Sequence, residues 1–155
     1  WHVATVARLA DALAGATDEC VFSFAHIYQK TRRNMTAAGL DWVDPPLDEK
    51  RDLLARLVGL VGERGMAASI CAQPEIEIDS APPARCIDAQ RLADLAGRPI
   101  VAAAKGNRPG CLCAESRDIG RYDGCPQGCV YCYANVSRAA ARRNLAAHDP
   151  AADAL

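Results

Sequence analysis

The sequence predicts an α/β fold built on a parallel sheet. Several stretches repeat apolar residues at helical intervals, short apolar runs separate them, and the two kinds follow one another as helix, strand, helix, helix, strand. Half of the 155 residues are hydrophobic, enough to fill one core. The chain begins at Trp1 and enters an apolar periodic stretch almost at once. Residues 1–110 are therefore expected to be a portion of a larger α/β domain whose N-terminal half is missing.

Val3, Val6, Leu9, Ala10 and Leu13 share one helical face, and Gly15 follows as a stop. The apolar run from Cys20 to Ile27 predicts a strand. Tyr28 to Ala38 is a helical segment with several Lys and Arg, closed by Gly39. After the breaker Asp44-Pro45-Pro46, the segment Leu47 to Arg64 is the strongest helix, with Leu53, Leu54, Leu57, Val58, Leu60 and Val61 on its apolar face. Met66 to Cys71 suits a buried strand, and its end at Cys71 lies where α/β proteins gather their chemistry. Asp88 to Ala96 predicts a short helix. Residues 111–136 form a cysteine-rich loop with little periodicity, and 137–155 a C-terminal helix and tail.

A net charge of -1 provides no global field toward nucleic acid or an anionic membrane. No apolar run approaches the roughly 20 residues that span a bilayer, and no signal-peptide pattern is present, so no membrane partner and a cytoplasmic location are expected. In that compartment the eight cysteines point to metal rather than to disulfides.

The densest thiol motif is Cys125-Pro-Gln-Gly-Cys129-Val-Tyr-Cys132, spaced Cys-x3-Cys-x2-Cys. Gly124, Pro126 and Gly128 supply the turns needed to wrap it around one small object. Thiolates are soft ligands that suit iron–sulfur clusters, zinc or copper(I). Three of them leave one iron of a four-iron cluster open, whereas structural zinc takes four protein ligands.

Cys125, Cys129, Tyr131 and Cys132 resemble, position by position, the Cys-x3-Cys-x-aromatic-Cys signature of radical S-adenosylmethionine enzymes. That resemblance implies a [4Fe-4S] cluster on the three cysteines and S-adenosylmethionine on the open iron, with Tyr131 near the adenine. Gly128 joins Tyr131 as an expected cofactor-binding residue. The implied chemistry is reductive cleavage to a 5'-deoxyadenosyl radical, which calls for an electron donor such as a flavodoxin or ferredoxin. The substrate, small molecule or macromolecule, and the catalytic residues are left open.

Ser23-Phe24, Cys71-Ala72, Cys86-Ile-Asp88, Cys111-x-Cys113, Ser116-x-Asp-Ile-Gly120-x-Tyr122 and Gly128-Cys-Val-Tyr-Cys-Tyr-Ala134 further resemble the family called domain of unknown function 1848. That family carries a radical-SAM-like cysteine cluster at its C-terminus. The resemblance implies part of a (β/α) TIM-like barrel of radical SAM type, permuted so that the cluster loop lies near the C-terminus. Gln73 stands where the family has glutamate. Two competing readings are a non-catalytic [4Fe-4S] protein for electron transfer or redox sensing, and a zinc-stabilised binding domain.

Cys71, Cys86, Cys111 and Cys113 are a second candidate metal site, for zinc or a second [4Fe-4S] cluster, since four thiolates close either shell. Cys20 reads as core. Asp118, Arg121 and Tyr122 precede the cluster loop and are candidates for substrate or cofactor contact. Lys105, Arg108, Arg117, Arg121, Arg138, Arg142 and Arg143 outnumber the local acids, and nucleic acid is the lesser alternative as substrate. His2, His26 and His148 have no ligand spacing.

Overall fold

The computed structural model describes residues 1–117 and 120–151. Asp118 lies outside the described residues. The elements are α1 (His2–Leu13), β1 (Glu19–Phe22), α2 (Gln29–Ala37), α3 (Leu47–Gly62), β2 (Ala67–Ile70), a 3-10 turn (Pro74–Ile76), α4 (Ala89–Ala96) and α5 (Arg138–Ala146). They fall into two compact units, one of Trp1–Phe24 with Pro45–Ser116, the other of Ala25–Asp44 with Arg117–Leu155.

In the first unit, α3 starts directly after Pro46, with Asp48 and Glu49 in its first turn beside the positive end of the helix dipole. The predicted apolar stripe faces inward, with Leu54, Leu57 and Val61 buried. Leu54 packs with Ile70, Ile76 and Ala81, and Val61 with Ala10 and Met66. Cys20 packs at the edge of that second cluster, as core. Helix α4 is capped by Asp88, whose carboxylate accepts from Gln90 N at 2.9 Å and Arg91 N at 3.2 Å. It ends at Gly97 in the left-handed region, φ 61°. Asp88→Ala is expected to lower stability by about 0.5–2 kcal/mol in urea unfolding; an unchanged midpoint would mean that the cap carries no weight.

Among the described residues the expected barrel is not formed. Among the described residues the sheet has two strands, β1 and β2, parallel, with Glu19 opposite Ala67 and Phe22 opposite Ile70. Two features mark its limits. The strand expected over Cys20 to Ile27 ends at Phe22, and the next backbone is paired by a side chain: Phe24 N donates to Gln73 Oε1 at 2.7 Å and Gln73 Nε2 donates to Phe24 O at 3.3 Å. At Ile70, the other edge of β2 is taken by the returning chain, with Ile70 N on Pro82 O at 2.9 Å and Ala84 N on Ile70 O at 2.8 Å. Pro82 and Pro83 have no N–H to pass the ladder on.

The second unit holds α2, α5 and the three-cysteine loop. Its most buried side chains include Thr31, Asn135 and Ala141, so polar bonds as well as apolar packing hold it. Ser137 caps α5 by accepting from Ala140 N at 3.1 Å.

Candidate metal centres

The three-cysteine loop is pinched at its base. Asp123, at φ 57°, donates its N–H to Ala134 O at 3.2 Å and accepts from Val136 N through its carboxylate. Asn144 Nδ2 reaches Asp123 O at 3.0 Å. Within the loop, Cys132 N donates to Cys129 O at 3.1 Å, and Asn135 Nδ2 donates to Cys125 O at 2.5 Å.

Helix α2 grips the same loop along one face. Thr31 Oγ1 donates to Tyr131 O at 3.2 Å and Asn34 Nδ2 to Cys132 O at 3.4 Å, while Lys30 Nζ donates to the carbonyls of Tyr133 and Asn135. Asn34 lies four residues after Lys30 and three after Thr31, so it shares a side of the helix with each of them. Sequence reasoning missed all three, and their only advance signal was polarity at helical spacing.

In none of these bonds does a thiol of Cys125, Cys129 or Cys132 take part. Cys125 and Cys129 are exposed and Cys132 half-buried. The loop is thus ordered by carbonyls and amides, which leaves its sulfurs available. Beside them lies a cavity of about 360 Å³, lined in part by Lys30, Asn34, Gly128, Cys129, Cys132 and Arg138. That volume falls in the range of roughly 300–1,000 Å³ typical of small-molecule sites. Lys30 and Arg138 bring positive charge to it.

Gly128 has φ +73°, and a Cβ there would stand 2.7 Å from Arg138 Nε. Tyr131 donates its hydroxyl to His26 O at 2.9 Å. Tyr122 is exposed.

In the first unit the fold draws Cys71, Cys86 and Cys113, three of the five cysteines outside the loop, toward one another. Cys71 follows β2, and the return of the chain alongside Ile70 brings Cys86 to a sulfur–sulfur distance of 4.0 Å. Ala114 N donates to Ile87 O at 2.8 Å, which draws in Cys113, and Ile87 N donates to Cys113 Sγ at 3.4 Å. Arg108 Nη2 donates to Cys71 Sγ at 3.1 Å. Burial, with the neighbouring thiols of Cys71 and Cys113, pushes the Cys86 thiol up to about 11. Backbone hydrogen bonds at Cys113 and Asn107 hold the Cys111 thiol below its ordinary value, with Cys113 and Arg108 adding to the effect. The role of Arg108 was not legible in a simple count of charges.

Among the described residues, no three Cys, His, Asp or Glu side chains already converge as a metal site. The fit of both thiol sets to a metal therefore rests on donor type, availability and proximity. No helix of the described residues is long and apolar enough to cross a membrane.

A two-stranded parallel α/β unit and a second unit built around a three-cysteine loop define a cysteine-rich α/β protein with two thiol loci. The chain belongs to the family "Domain of unknown function (DUF1848)", whose model matches residues 1–134. No curated protein matches the chain, and no solved structure does.

Proposed function

We propose that this is an iron–sulfur protein of radical S-adenosylmethionine type, with Cys125, Cys129 and Cys132 holding a [4Fe-4S] cluster. The observation that carries the reading is the loop whose every named tie spares those thiols. Ligand type and count agree, since three soft donors leave one iron open. When bound, the cluster would supply one-electron reduction of S-adenosylmethionine, with an electron donor such as a flavodoxin or ferredoxin as partner.

The chain's own residues have supporting parts. Thr31, Asn34 and Asn135 bond the carbonyls of Tyr131, Cys132 and Cys125, which holds the backbone at two of the three cysteines. Lys30 and Arg138 offset the negative charge that thiolates bring to the cavity. Tyr131, held through its hydroxyl by His26 O, presents an aromatic ring next to Cys132 in the chain.

One observation favours a second reading. The described residues form a two-stranded sheet rather than a barrel, so no barrel mouth encloses a cosubstrate. On that reading the cluster serves electron transfer or redox sensing, and the chain is not an enzyme.

The test is anaerobic reconstitution of the full chain with iron and sulfide, followed by low-temperature EPR of the reduced protein with and without S-adenosylmethionine. A [4Fe-4S] signal that shifts on addition of S-adenosylmethionine and vanishes in Cys125→Ala is expected. A cluster indifferent to S-adenosylmethionine would favour the second reading. Failure to assemble a cluster at all would overturn both.

A further inference from the structure

We infer that Cys71, Cys86, Cys111 and Cys113 form a second metal site in the first unit, one that takes a single tetrahedral ion of the zinc class. The site goes beyond the cluster proposed above and does not depend on it.

The fold makes a chain of neighbouring thiols from residues far apart in sequence. Cys86 stands 4.0 Å from Cys71. Ile87, the residue after Cys86, donates its N–H to Cys113 Sγ at 3.4 Å, and Cys111 lies two residues before Cys113. Cys113 is only 5% exposed, the most buried of the protein's thiols. Backbone geometry holds this segment closely: a Cβ on Gly106 would lie 2.2 Å from Cys111 O, so the chain folds back on itself here with no room for a side chain.

Distance selects the kind of metal. Zinc–sulfur bonds of about 2.3 Å in a tetrahedron place two ligand sulfurs about 3.8 Å apart. The Cys71–Cys86 separation of 4.0 Å is close to that edge. In a four-iron cluster each thiolate binds a different iron, so its ligand sulfurs stand on separate corners, farther apart than a single ion sets them. A disulfide would need a sulfur–sulfur distance of about 2.05 Å.

Two donors already point at sulfur: Arg108 Nη2 donates to Cys71 Sγ at 3.1 Å and Ile87 N to Cys113 Sγ at 3.4 Å, and such bonds orient sulfur ligands. Since no three of the thiols yet converge, closure comes with the ion, as is common where binding and local folding are coupled. An ion here would join the end of β2, the turn at Cys86 and the segment 111–113 into one body. That supplies a tie which a sheet of two short strands lacks.

The test uses the full chain with Cys125, Cys129 and Cys132 all changed to serine, so that the three-cysteine loop cannot contribute. The reduced, metal-free protein is titrated with cobalt(II) under anaerobic conditions and then with zinc(II). One equivalent of cobalt with intense tetrahedral thiolate absorption, displaced by one equivalent of zinc, is expected. Adding Cys86→Ser or Cys113→Ser should abolish that spectrum, while Cys20→Ser, the control for a thiol change in the core, should keep it. Octahedral cobalt alone, no binding, or a brown iron–sulfur chromophore formed in the triple variant by iron and sulfide would each overturn the inference. Because the three-cysteine loop is disabled throughout, failure here leaves the cluster proposal standing, and failure of that proposal leaves this one.

Discussion

Leu54→Ala is expected to destabilise the first unit by about 2–5 kcal/mol, read as a lower midpoint in urea unfolding. Leu54 is fully buried, 0% exposed, at the centre of the cluster with Ile70, Ile76 and Ala81. Truncation there removes apolar contacts to α3's neighbours on three sides and leaves a cavity under β2, where a short sheet has little redundancy to collapse into it. The same change reaches the thiols, because Cys71 is bonded directly to Ile70, a wall of that cavity. The zinc-class ion inferred above should therefore bind more weakly in Leu54→Ala, though none of its ligands has changed. Leu95→Ala is the comparison: that leucine on α4 is 79% exposed, and its loss should stay within about 0.5 kcal/mol. A Leu54 effect as small as that of Leu95 would mean that α3 does not pack on β2 as described.

Helices were legible because one helix carries its own period. The stripe of Leu54, Leu57 and Val61 faces inward as its spacing implies, and Asp88 and Ser137 cap the helices they precede. The two strands and their parallel pairing could be read from short apolar runs between helices. What could not be read was how many strands would join. That depends on how strands end and on what lies along them: past β1 a glutamine side chain, Gln73, takes over the pairing at Phe24, and a proline-bearing segment with Pro82 and Pro83 runs beside Ile70. Neither has a period of its own, and the family resemblance suggested a barrel where the described residues hold a two-stranded sheet.

The site followed the same division. The spacing of Cys125, Cys129 and Cys132 is a local signal, and so it was visible in the sequence. The hold of Lys30, Thr31 and Asn34 on the carbonyls of that loop is non-local, made across roughly a hundred positions. Cys71, Cys86, Cys111 and Cys113 stood between the two cases. Their number suggested a shared shell, whereas their adjacency depends on the return of the chain past Ile70.

Gly128→Ala is expected to damage the three-cysteine loop by two separable routes. The backbone at Gly128 has φ +73°, a conformation that costs an L residue with a side chain about 1–2 kcal/mol. In addition, the new methyl would lie 2.7 Å from Arg138 Nε and 2.9 Å from its Cδ, so the arginine must leave. Arg138 is flexible and can move at small energetic expense, but it would then take its positive charge away from the cavity beside Cys129 and Cys132. The expected result is unfolding of the second unit at lower urea and a loss of most of the iron retained after reconstitution. Arg138→Ala separates the two routes. Alone it should leave the fold nearly unchanged and weaken cluster retention through lost charge. Combined with Gly128→Ala it should remove the overlap and keep the backbone cost, so the double variant should be no less stable than Gly128→Ala itself. Full stability and full iron content in Gly128→Ala would show that the loop does not hold glycine in this conformation, and the placement of Cys129 beside Arg138 would fall with it.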